Sequence, residues 1–207
     1  MSRREQFVPH ARMLTSLGLA FLWLLFAAAS AHASQKTGRP AGLGAVGIEL
    51  IGVILFIARR PPEWASYAPG DWLGATIGTF GPLLARPSHV HLGGVVWVYE
   101  GVQLVGALCA CACLLALGRS FGLVPANRGL CVNGPYRLVR HPLYASYMLV
   151  WIAYLVENPT TRNVVVFSVA AACQVIRMRR EEVCLKRDPA YAAYTERVRY
   201  RVLPLVY

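Results

Sequence analysis

The segment NGPYRLVRHPLYASY, residues 133–147, concentrates polar and aromatic side chains in a chain that is otherwise largely apolar. Its Asn-Gly-Pro start is typical of a turn, and Pro142 predicts the first position of a helix, where proline is favoured. Arg140 and His141 directly precede that position, beside the free N–H groups of a first helical turn, which suit an anion. Tyr144 lies four residues after Arg140 and can stand at the same helix mouth. The alternative is an ordinary belt of basic and aromatic residues at a membrane surface.

A second group of polar residues follows an apolar stretch near the C-terminus. Arg177 and Glu181 are four residues apart, so they can pair on one face of a helix, whereas Glu182 points to a different face. Two adjacent carboxylates at the end of an apolar helix need cationic partners. They could neutralise Arg140 or the arginine pair that precedes them, or they could hold a polar ligand that enters from the cytosol.

Long apolar runs must position both groups. The 207-residue chain is 56% hydrophobic and only 15% charged, whereas soluble domains carry about 25% charged residues. This composition predicts an integral membrane protein of one compact domain. Four to six membrane spans are expected, and the candidate stretches are 14–31, 42–58, 70–85, 95–117, 143–156 and 163–178.

The distribution of charge predicts how these spans are oriented. The formal net charge is +11, and with six spans and a cytoplasmic N-terminus 17 of the 21 lysine and arginine residues fall in cytoplasmic segments. Because basic loops stay on the cytoplasmic side, both termini, the 133–147 segment and the C-terminal tail are predicted there. The first run also resembles a cleaved secretory signal ending at Ala31-His32-Ala33, an alternative that would not invert the later spans.

Small and acidic residues inside the apolar stretches have structural and functional explanations. GLGAVG, residues 42–47, fits a dinucleotide-binding pattern, but no strand precedes it, so helix packing is the preferred interpretation. Glycines at four-residue spacing in the 70–85 stretch predict a smooth face for close helix packing. Glu49 and Glu100 are candidates for a functional role because a carboxylate is costly inside a membrane.

The cysteines are interpreted as packing residues. Cys109, Cys111 and Cys113 alternate within one apolar run, and a helix cannot aim all three thiols at one point. Zinc sites usually place C-x2-C pairs on turns, so no metal site is predicted. The three other cysteines suggest no disulfide framework.

Two stretches, GPYRLVRHPLYASY and RREEVCLKRDPAYAAYTERVRYRVLP, resemble the integral-membrane methyltransferases related to isoprenylcysteine carboxyl methyltransferase and phospholipid N-methyltransferase. The resemblance covers about residues 115–207, whereas residues 1–114 match only in being hydrophobic. Ala145-Ser146 and Asp188-Pro189 depart from the family pattern and leave the substrate open. The matching positions are Gly134, Pro135, Tyr136, Arg140, His141, Pro142, Tyr144, Glu181, Glu182, Leu185, Tyr191, Tyr194 and Pro204.

The resemblance implies an all-α fold, a polytopic transmembrane helical bundle. Residues 1–114 would form its N-terminal transmembrane helices, and residues 115–207 a helical cofactor-binding segment on the cytosolic side. It implies S-adenosyl-L-methionine as the cofactor. Arg177 and Glu181 are the predicted catalytic residues, and Arg177, which is not part of the family pattern, would steer an acidic acceptor or the cofactor carboxylate. Arginine would clamp the cofactor carboxylate, and tyrosine faces would attract its sulfonium. The implied cofactor-binding residues are Tyr136, Arg140, His141, Pro142, Tyr144, Glu181, Glu182 and Tyr194.

The implied methyl acceptor is a lipophilic or lipid-linked molecule that enters from the surrounding membrane lipids. A prenylated cysteine carboxylate, a phospholipid amine and other small lipids all fit, with transfer to oxygen, nitrogen or sulfur. Two other functions stay open. Membrane sterol reductases carry a similar Arg-His-Pro-x-Tyr segment and bind NADPH, although Glu181 and Glu182 would repel its phosphates; a non-catalytic membrane protein could keep the same fold. Nucleic-acid binding is not expected, and the sequence leaves the oligomeric state open.

Overall fold

The computed structural model describes residues 3–88, 95–186 and 188–204, and within them the chain is mainly helical with almost no sheet. Two-residue strands, β1 (Trp64–Ala65) and β2 (Ala126–Asn127), pair antiparallel. Short 3₁₀ turns cover Gly81–Leu84, Gly118–Ser120 and Gly134–Arg137. The helices are α1 (Arg3–Thr37), α2 (Ala41–Ala58), α3 (Pro69–Phe80), α4 (Val96–Leu117), α5 (Pro142–Glu157), α6 (Thr161–Leu185) and α7 (Pro189–Arg197).

Three segments are long and apolar enough to cross a membrane: Met13–Thr37, Ala41–Ala58 and Val96–Ser120. Large apolar side chains on these helices, such as Phe21 and Ile54, are exposed on the outside of the protein, at 62% and 63% of their surface. Lipid tails can cover such a surface, whereas water would leave a large apolar patch. The prediction of an integral membrane protein is therefore confirmed.

The remaining predicted spans are shorter or more polar than the three apolar helices. In the stretch predicted at 70–85, α3 has 12 residues and is about 18 Å long, against a hydrocarbon core of about 30 Å, so its crossing of the membrane stays a prediction. Gly81 and Pro82 end it in a 3₁₀ turn, since proline supplies no N–H to continue the helix. The 16-residue α5 and the 25-residue α6 form a hairpin whose crossing of the membrane stays a prediction.

Aromatic rings from three helices and one loop form the centre of the core. Trp23 of α1 lies 5.1 Å from the ring of Phe56 of α2 and 5.2 Å from that of Phe80 of α3. Phe56 in turn lies 5.0 Å from Phe121, which follows α4. A side chain at Gly52 would come within 2.4 Å of the Trp23 ring, so that glycine lets the indole pack directly on α2.

The glycine predictions have different outcomes. GLGAVG begins α2, and a Cβ on its Gly44 would come within 2.5 Å of Ala107 of α4, so the helix-packing interpretation is confirmed. In α3 only Gly78 has the predicted role, packing on α6 with a Cβ position 3.3 Å from Cys173. Among the described residues, no atom lies within 4 Å of a Cβ at Gly70 or Gly74, so the predicted packing role is not seen at these two glycines.

Two local features, a short strand pair and a glycine turn, determine the path of the chain before α5. The β1–β2 pair, which an all-α prediction leaves out, ties the loop after α4 to the loop after α2. The predicted Asn-Gly-Pro turn is present, with Gly134 at φ +58°, a conformation that favours glycine. It leads into the 3₁₀ turn, and Pro142 then occupies the first turn of α5 as predicted.

The C-terminal segment packs back onto this turn. Asp188 caps α7 by accepting a hydrogen bond from Ala190 N, and Pro189 begins the helix. After α7 the chain runs past the start of α5, where Arg140 N donates to Tyr200 O at 3.0 Å and His141 N to Arg201 O at 2.7 Å. The tail thereby forms part of the same structural unit as the 133–147 segment.

Candidate functional site

Two cavities adjoin the start of α5, and the first is lined by many polar side chains. This polar cavity lies between residues 117–131, the 3₁₀ turn Gly134–Arg137, the start of α5, the end of α6 and α7. It encloses about 810 Å³ of space free of protein atoms, its open mouth included. The predicted site residues that line it are Tyr136, Arg140, His141, Tyr144, Arg177, Glu181 and Tyr194.

Glu182 lies behind the wall of the polar cavity and has three partners, two arginines and a histidine. Its Oε1 lies 3.1 Å from Arg140 Nη1 and 3.2 Å from His141 Nε2, and its Oε2 lies 2.9 Å from Arg201 Nε. Because a carboxylate only accepts hydrogen bonds, His141 Nε2 carries the proton in this contact. The structure thus brings Glu182 together with Arg140 and His141, but neither Glu182 nor Pro142 is among the residues that line the cavity.

The pKa of Glu182 reflects these partners. Burial alone would raise the pKa of this carboxyl, whose side chain is only 4% exposed. Hydrogen bonds from His141 and Arg201, together with the charges of His141 and Arg140, outweigh burial and lower the pKa to about 2. Glu182 is therefore a carboxylate at neutral pH and balances the cations around it.

Glu181 has a different environment from its neighbour. It lines the polar cavity, and its Oε2 accepts a hydrogen bond from Tyr144 OH at 3.2 Å. Arg177 does not form the predicted pair with Glu181, because its Nη2 donates to Gly122 O at 2.8 Å and its Nη1 to Gln174 Oε1 at 3.5 Å. Its guanidinium carbon instead lies 5.6 Å from the centre of the Tyr144 ring, within the range of a cation–π contact.

Two tyrosines join the tail to the 3₁₀ turn. Tyr194 OH donates to Tyr136 O at 2.7 Å, so α7 is fixed against the segment that begins the site. Burial raises the pKa of Tyr136 well above its ordinary value and that of Tyr194 to about 12. Both side chains are therefore neutral phenols at physiological pH and can donate hydrogen bonds.

Arg128 is a residue of the polar cavity that sequence reasoning missed. It is 8% exposed, and its Nε is buried without a hydrogen-bond partner among the described residues. Burial and the charge of Arg59 lower the pKa of Arg128 to about 10, so it stays cationic at neutral pH. A Cβ at Gly122 would come within 2.2 Å of Arg128 Nη1, so Gly122 is what gives the guanidinium its place. Only the folded loop reveals this, because Arg128 belongs to no motif.

The second cavity is largely apolar. This apolar cavity lies between α1, α2, α3, α5 and α6 and encloses about 770 Å³, its opening included. Trp23, Phe26, Tyr147 and Trp151 give it aromatic walls. The residues that line both cavities are Phe121, Leu143, Tyr144 and Arg177.

The sequence analysis predicts the cysteines of the 95–117 stretch as packing residues and predicts no metal site. Cys109, Cys111 and Cys113 lie on α4 with exposed, half-buried and buried thiols respectively, so they point in different directions, as a helix requires. In the ranges that the structure describes, no group of histidine, cysteine or acidic residues could hold a metal ion.

The fold and the two cavities define a class of protein, an α-helical membrane protein in which a polar cavity adjoins an apolar one. Residues 99–187 match the model of the isoprenylcysteine carboxyl methyltransferase (ICMT) family. The matched region holds the 133–147 segment and both glutamates, and the predicted resemblance to this family is confirmed. The matched family is one of methyltransferases. A comparison with curated proteins gave no match.

Proposed function

We propose that the protein is an integral-membrane, S-adenosyl-L-methionine-dependent methyltransferase that acts on a lipophilic acceptor. The observation that carries this proposal is the boundary between the two cavities, where Tyr144 and Arg177 line both the polar and the apolar space. A polar cofactor and an apolar acceptor could meet there without either crossing into the other's environment. The family match supports methyl transfer.

The chemistry of the polar cavity fits this cofactor, which carries a carboxylate, an ammonium, ribose hydroxyls and a sulfonium. The Nε atoms of Arg128, Arg140 and Arg177 are buried and have no hydrogen-bond partner within the described ranges. Guanidinium groups bind carboxylates well. Glu181 supplies an acceptor for hydroxyl or ammonium hydrogens, and the faces of Tyr136 and Tyr144 suit a cation.

We assign Arg128 and Arg140 to the cofactor carboxylate. Arg128 is the stronger candidate of the two, because no carboxylate pairs with it among the described ion pairs, whereas Arg140 already shares Glu182. Glu181 would accept hydrogen bonds from the cofactor while Tyr144 OH holds its other side in place.

When bound, the cofactor supplies an electrophilic methyl group on sulfur. The protein's task is then to orient the acceptor and exclude water, and orientation alone can contribute about 7–11 kcal/mol in favourable cases. Tyr144 and Arg177 would do this at the boundary, where Arg177 holds the Tyr144 ring and attracts an anionic acceptor. Transfer in this arrangement needs no covalent enzyme intermediate.

The sequence analysis predicts that Glu182 binds the cofactor directly. We propose instead that Glu182 acts as a positioning residue. It holds Arg140, His141 and Arg201 together. Because Arg140 and His141 line the polar cavity, Glu182 fixes the side chains that the cofactor would contact. Pro142 would contribute in a similar way, by starting α5 at the point where Tyr144 faces the boundary.

For the membrane arrangement we keep the predicted orientation. Both termini and the polar cavity would lie on the cytoplasmic side, where a soluble cofactor is available. The acceptor would enter the apolar cavity from the lipid. Nothing in the structure favours the NADPH reductase over this proposal, since Glu181 lies in the polar cavity, where it would repel phosphate.

The test is a calorimetric titration of the purified protein in lipid nanodiscs with S-adenosylhomocysteine and, separately, with NADPH. We expect saturable binding of S-adenosylhomocysteine, weakened at least about tenfold by Glu181→Gln, since a hydrogen bond to a charged group contributes about 1.5–3 kcal/mol. Glu196→Gln, an exposed glutamate of α7, is the matched control and should bind as the wild type does.

Two results would contradict the proposal. Binding of NADPH without binding of S-adenosylhomocysteine would assign the protein to the reductases. Binding of neither ligand by a folded sample would favour a non-catalytic protein.

A further inference from the structure

The apolar cavity has a polar corner. Two of its lining residues, Glu49 of α2 and Thr79 of α3, carry oxygens that are buried and have no hydrogen-bond partner in the part of the chain that the structure describes. These atoms are Glu49 Oε2 and Thr79 Oγ1. Buried polar groups in folded proteins nearly always have a partner, so two unpartnered oxygens beside one cavity point to a partner that is not part of the chain.

Glu49 is held in place on one side only. Ser30 Oγ of α1 donates to Glu49 Oε1 at 3.0 Å, and this bond fixes the carboxyl group. Glu49 Oε2 has no hydrogen-bond partner among the described residues. Glu49 lies ten residues before Arg59, so it is about 15 Å from that end of α2 along the helix axis. This depth is within an apolar membrane segment, where neither water nor a lipid headgroup can readily serve the free oxygen.

The hydroxyl group of Thr79 has no hydrogen-bond partner among the described residues. A threonine in a helix usually turns its hydroxyl to a backbone carbonyl of the preceding turn, but Thr79 Oγ1 makes no such bond. Its neighbour across the cavity, Gln174, is already used at both ends of its amide. Gln174 Nε2 donates to Gly78 O at 3.1 Å, and its Oε1 accepts from Arg177.

The apolar cavity also reaches the boundary with the polar cavity. Tyr144 and Arg177 stand there, and Tyr147 and Trp151 continue the wall along α5. From Tyr144 to Trp151 the helix rises about 10 Å, and this wall is aromatic throughout. The cavity is therefore lined by the unpartnered oxygens of Glu49 and Thr79, by the boundary residues Tyr144 and Arg177, and by an aromatic wall.

We propose that the methyl acceptor is bipolar, with a hydrocarbon body that carries a second, hydrogen-bond-donating group, a hydroxyl or an amine, seated at Glu49 and Thr79. This inference rests on the proposed function for its assignment of the reacting end, at Tyr144 and Arg177. The second group would donate to Glu49 Oε2 and bond with Thr79 Oγ1. A purely hydrocarbon tail would leave both oxygens unpartnered, so the cavity would discriminate against it.

The experiment compares three probes of equal chain length: dodecanoic acid, ω-hydroxydodecanoic acid and ω-aminododecanoic acid. Their binding to the full chain in lipid nanodiscs is followed through the fluorescence of tryptophan, since Trp23 and Trp151 line the cavity. We expect the hydroxy or the amino acid to bind at least about tenfold more tightly than dodecanoic acid, because a site built for a hydrogen bond rejects analogues that lack it. The two substituted probes distinguish a hydroxyl from an amine as the preferred donor.

Variants assign the preference to this corner of the cavity. Glu49→Leu should remove the preference, and Thr79→Val, which keeps the shape of the side chain, should reduce it. Leu50→Ala is the control, because Leu50 follows Glu49 on α2, is 45% exposed and is not among the residues that line the cavity. Thermal unfolding of each variant shows that the comparison is made on folded protein.

Equal binding of the three probes to the wild type, or a preference that persists in Glu49→Leu, would overturn the inference. A titration with S-adenosylhomocysteine on the same samples separates this outcome from failure of the proposed function. Cofactor binding without a probe preference overturns the bipolar acceptor alone. A preference without cofactor binding supports the bipolar site and overturns the methyltransferase proposal.

Discussion

A cluster of charged residues lies at each end of helix α5. The cluster at the start of the helix adjoins the polar cavity, whereas the cluster at its end does not. At its start, Glu182 binds Arg140, His141 and Arg201, and two of these partners also line the polar cavity. At its end, Glu157 pairs with Arg39 and accepts a hydrogen bond from Gln103 Nε2 at 2.8 Å.

The cluster at the end of α5 is occupied by its own protein groups. Glu100 of α4 accepts from Ala41 N at 3.0 Å and lies 3.5 Å from Arg39 Nη1. Neither Glu100 nor Glu157 lines either of the two cavities. Glu100 was a functional candidate because of its apolar surroundings. The comparison teaches that an intramembrane carboxylate points to function when a polar atom near it is left without a partner, rather than because it is buried.

The largest effect is expected at the start of α5. Glu182→Gln removes the negative charge that Arg140, His141 and Arg201 contact, and breaking a buried pair in this way should lower the free energy of unfolding by about 3 kcal/mol. Because Arg140 and His141 also line the cavity, binding of S-adenosylhomocysteine should weaken as well. Thermal unfolding and calorimetry on the same sample measure both effects. Loss of binding with unchanged stability would instead indicate direct contact with the cofactor.

The same cluster should make stability depend on acid. The pKa of Glu182 is lowered in the folded protein to about 2, from an ordinary value of 4.5. The stability that this carboxylate contributes is therefore complete above about pH 4.5 and is lost as the pH falls towards 2. Thermal unfolding between pH 6 and pH 3 should show a decline in the wild type that is smaller in Glu182→Gln. Equal declines in both proteins would contradict this assignment.

A change in the opposite cluster should affect stability alone. Arg39→Met leaves Glu100 and Glu157 without their shared cation and should cost about 2 kcal/mol, less than a fully buried pair because the Arg39 side chain is 42% exposed. Binding of S-adenosylhomocysteine by the folded protein should stay as in the wild type. A tenfold loss of affinity would show that the two ends of α5 are coupled.

Arg128 should show the reverse pattern. Arg128→Ala removes a buried cation that has no ion-pair partner within the described ranges, so the unfolding temperature should change little. Binding of S-adenosylhomocysteine should weaken about tenfold, equivalent to about 1.4 kcal/mol. Arg179→Ala, an exposed arginine of α6, is the control. Wild-type affinity in Arg128→Ala would remove this residue from the cofactor site.

The smallest effect is expected at Gly122. The added Cβ of Gly122→Ala would lie 2.2 Å from Arg128 Nη1, so the flexible end of Arg128 must shift. A loss of affinity of about threefold is expected, and it should vanish when the change is made in the Arg128→Ala background. Calorimetry on the single and double variants measures this coupling, and additive losses would mean that Gly122 acts by another route.

The sequence predicts those parts of the site that depend on local rules. The turn before α5, the proline that begins the helix and the start of α7 at Pro189 all follow from residue types at fixed positions. Glu182 and Arg140 were expected on one side of the membrane, and their pairing was one of two explanations considered. The pairing of Arg177 with Glu181 was wrong, because tertiary contacts with Gly122 and Gln174 replace a contact along the helix.

The remaining features depend on how distant segments pack. Arg128 becomes part of the site through a loop that β2 and Gly122 hold in place, and neither belongs to a motif. The apolar cavity draws residues from α1, α2 and α3, which lie outside the matched family region. The end of α3 was harder to predict, because the apolar sequence continues beyond Gly81 whereas the α-helix does not.

The backbone bonds between the start of α5 and the C-terminal tail bear on the order in which the protein is made. Arg140 N and His141 N find their acceptors in Tyr200 O and Arg201 O, and the Arg201 side chain supplies one of the three partners of Glu182. A chain that is still being synthesised can insert its apolar helices before these residues exist. The cofactor site would therefore be completed only after residues 200 and 201 have left the ribosome, which separates insertion from the gain of activity in time.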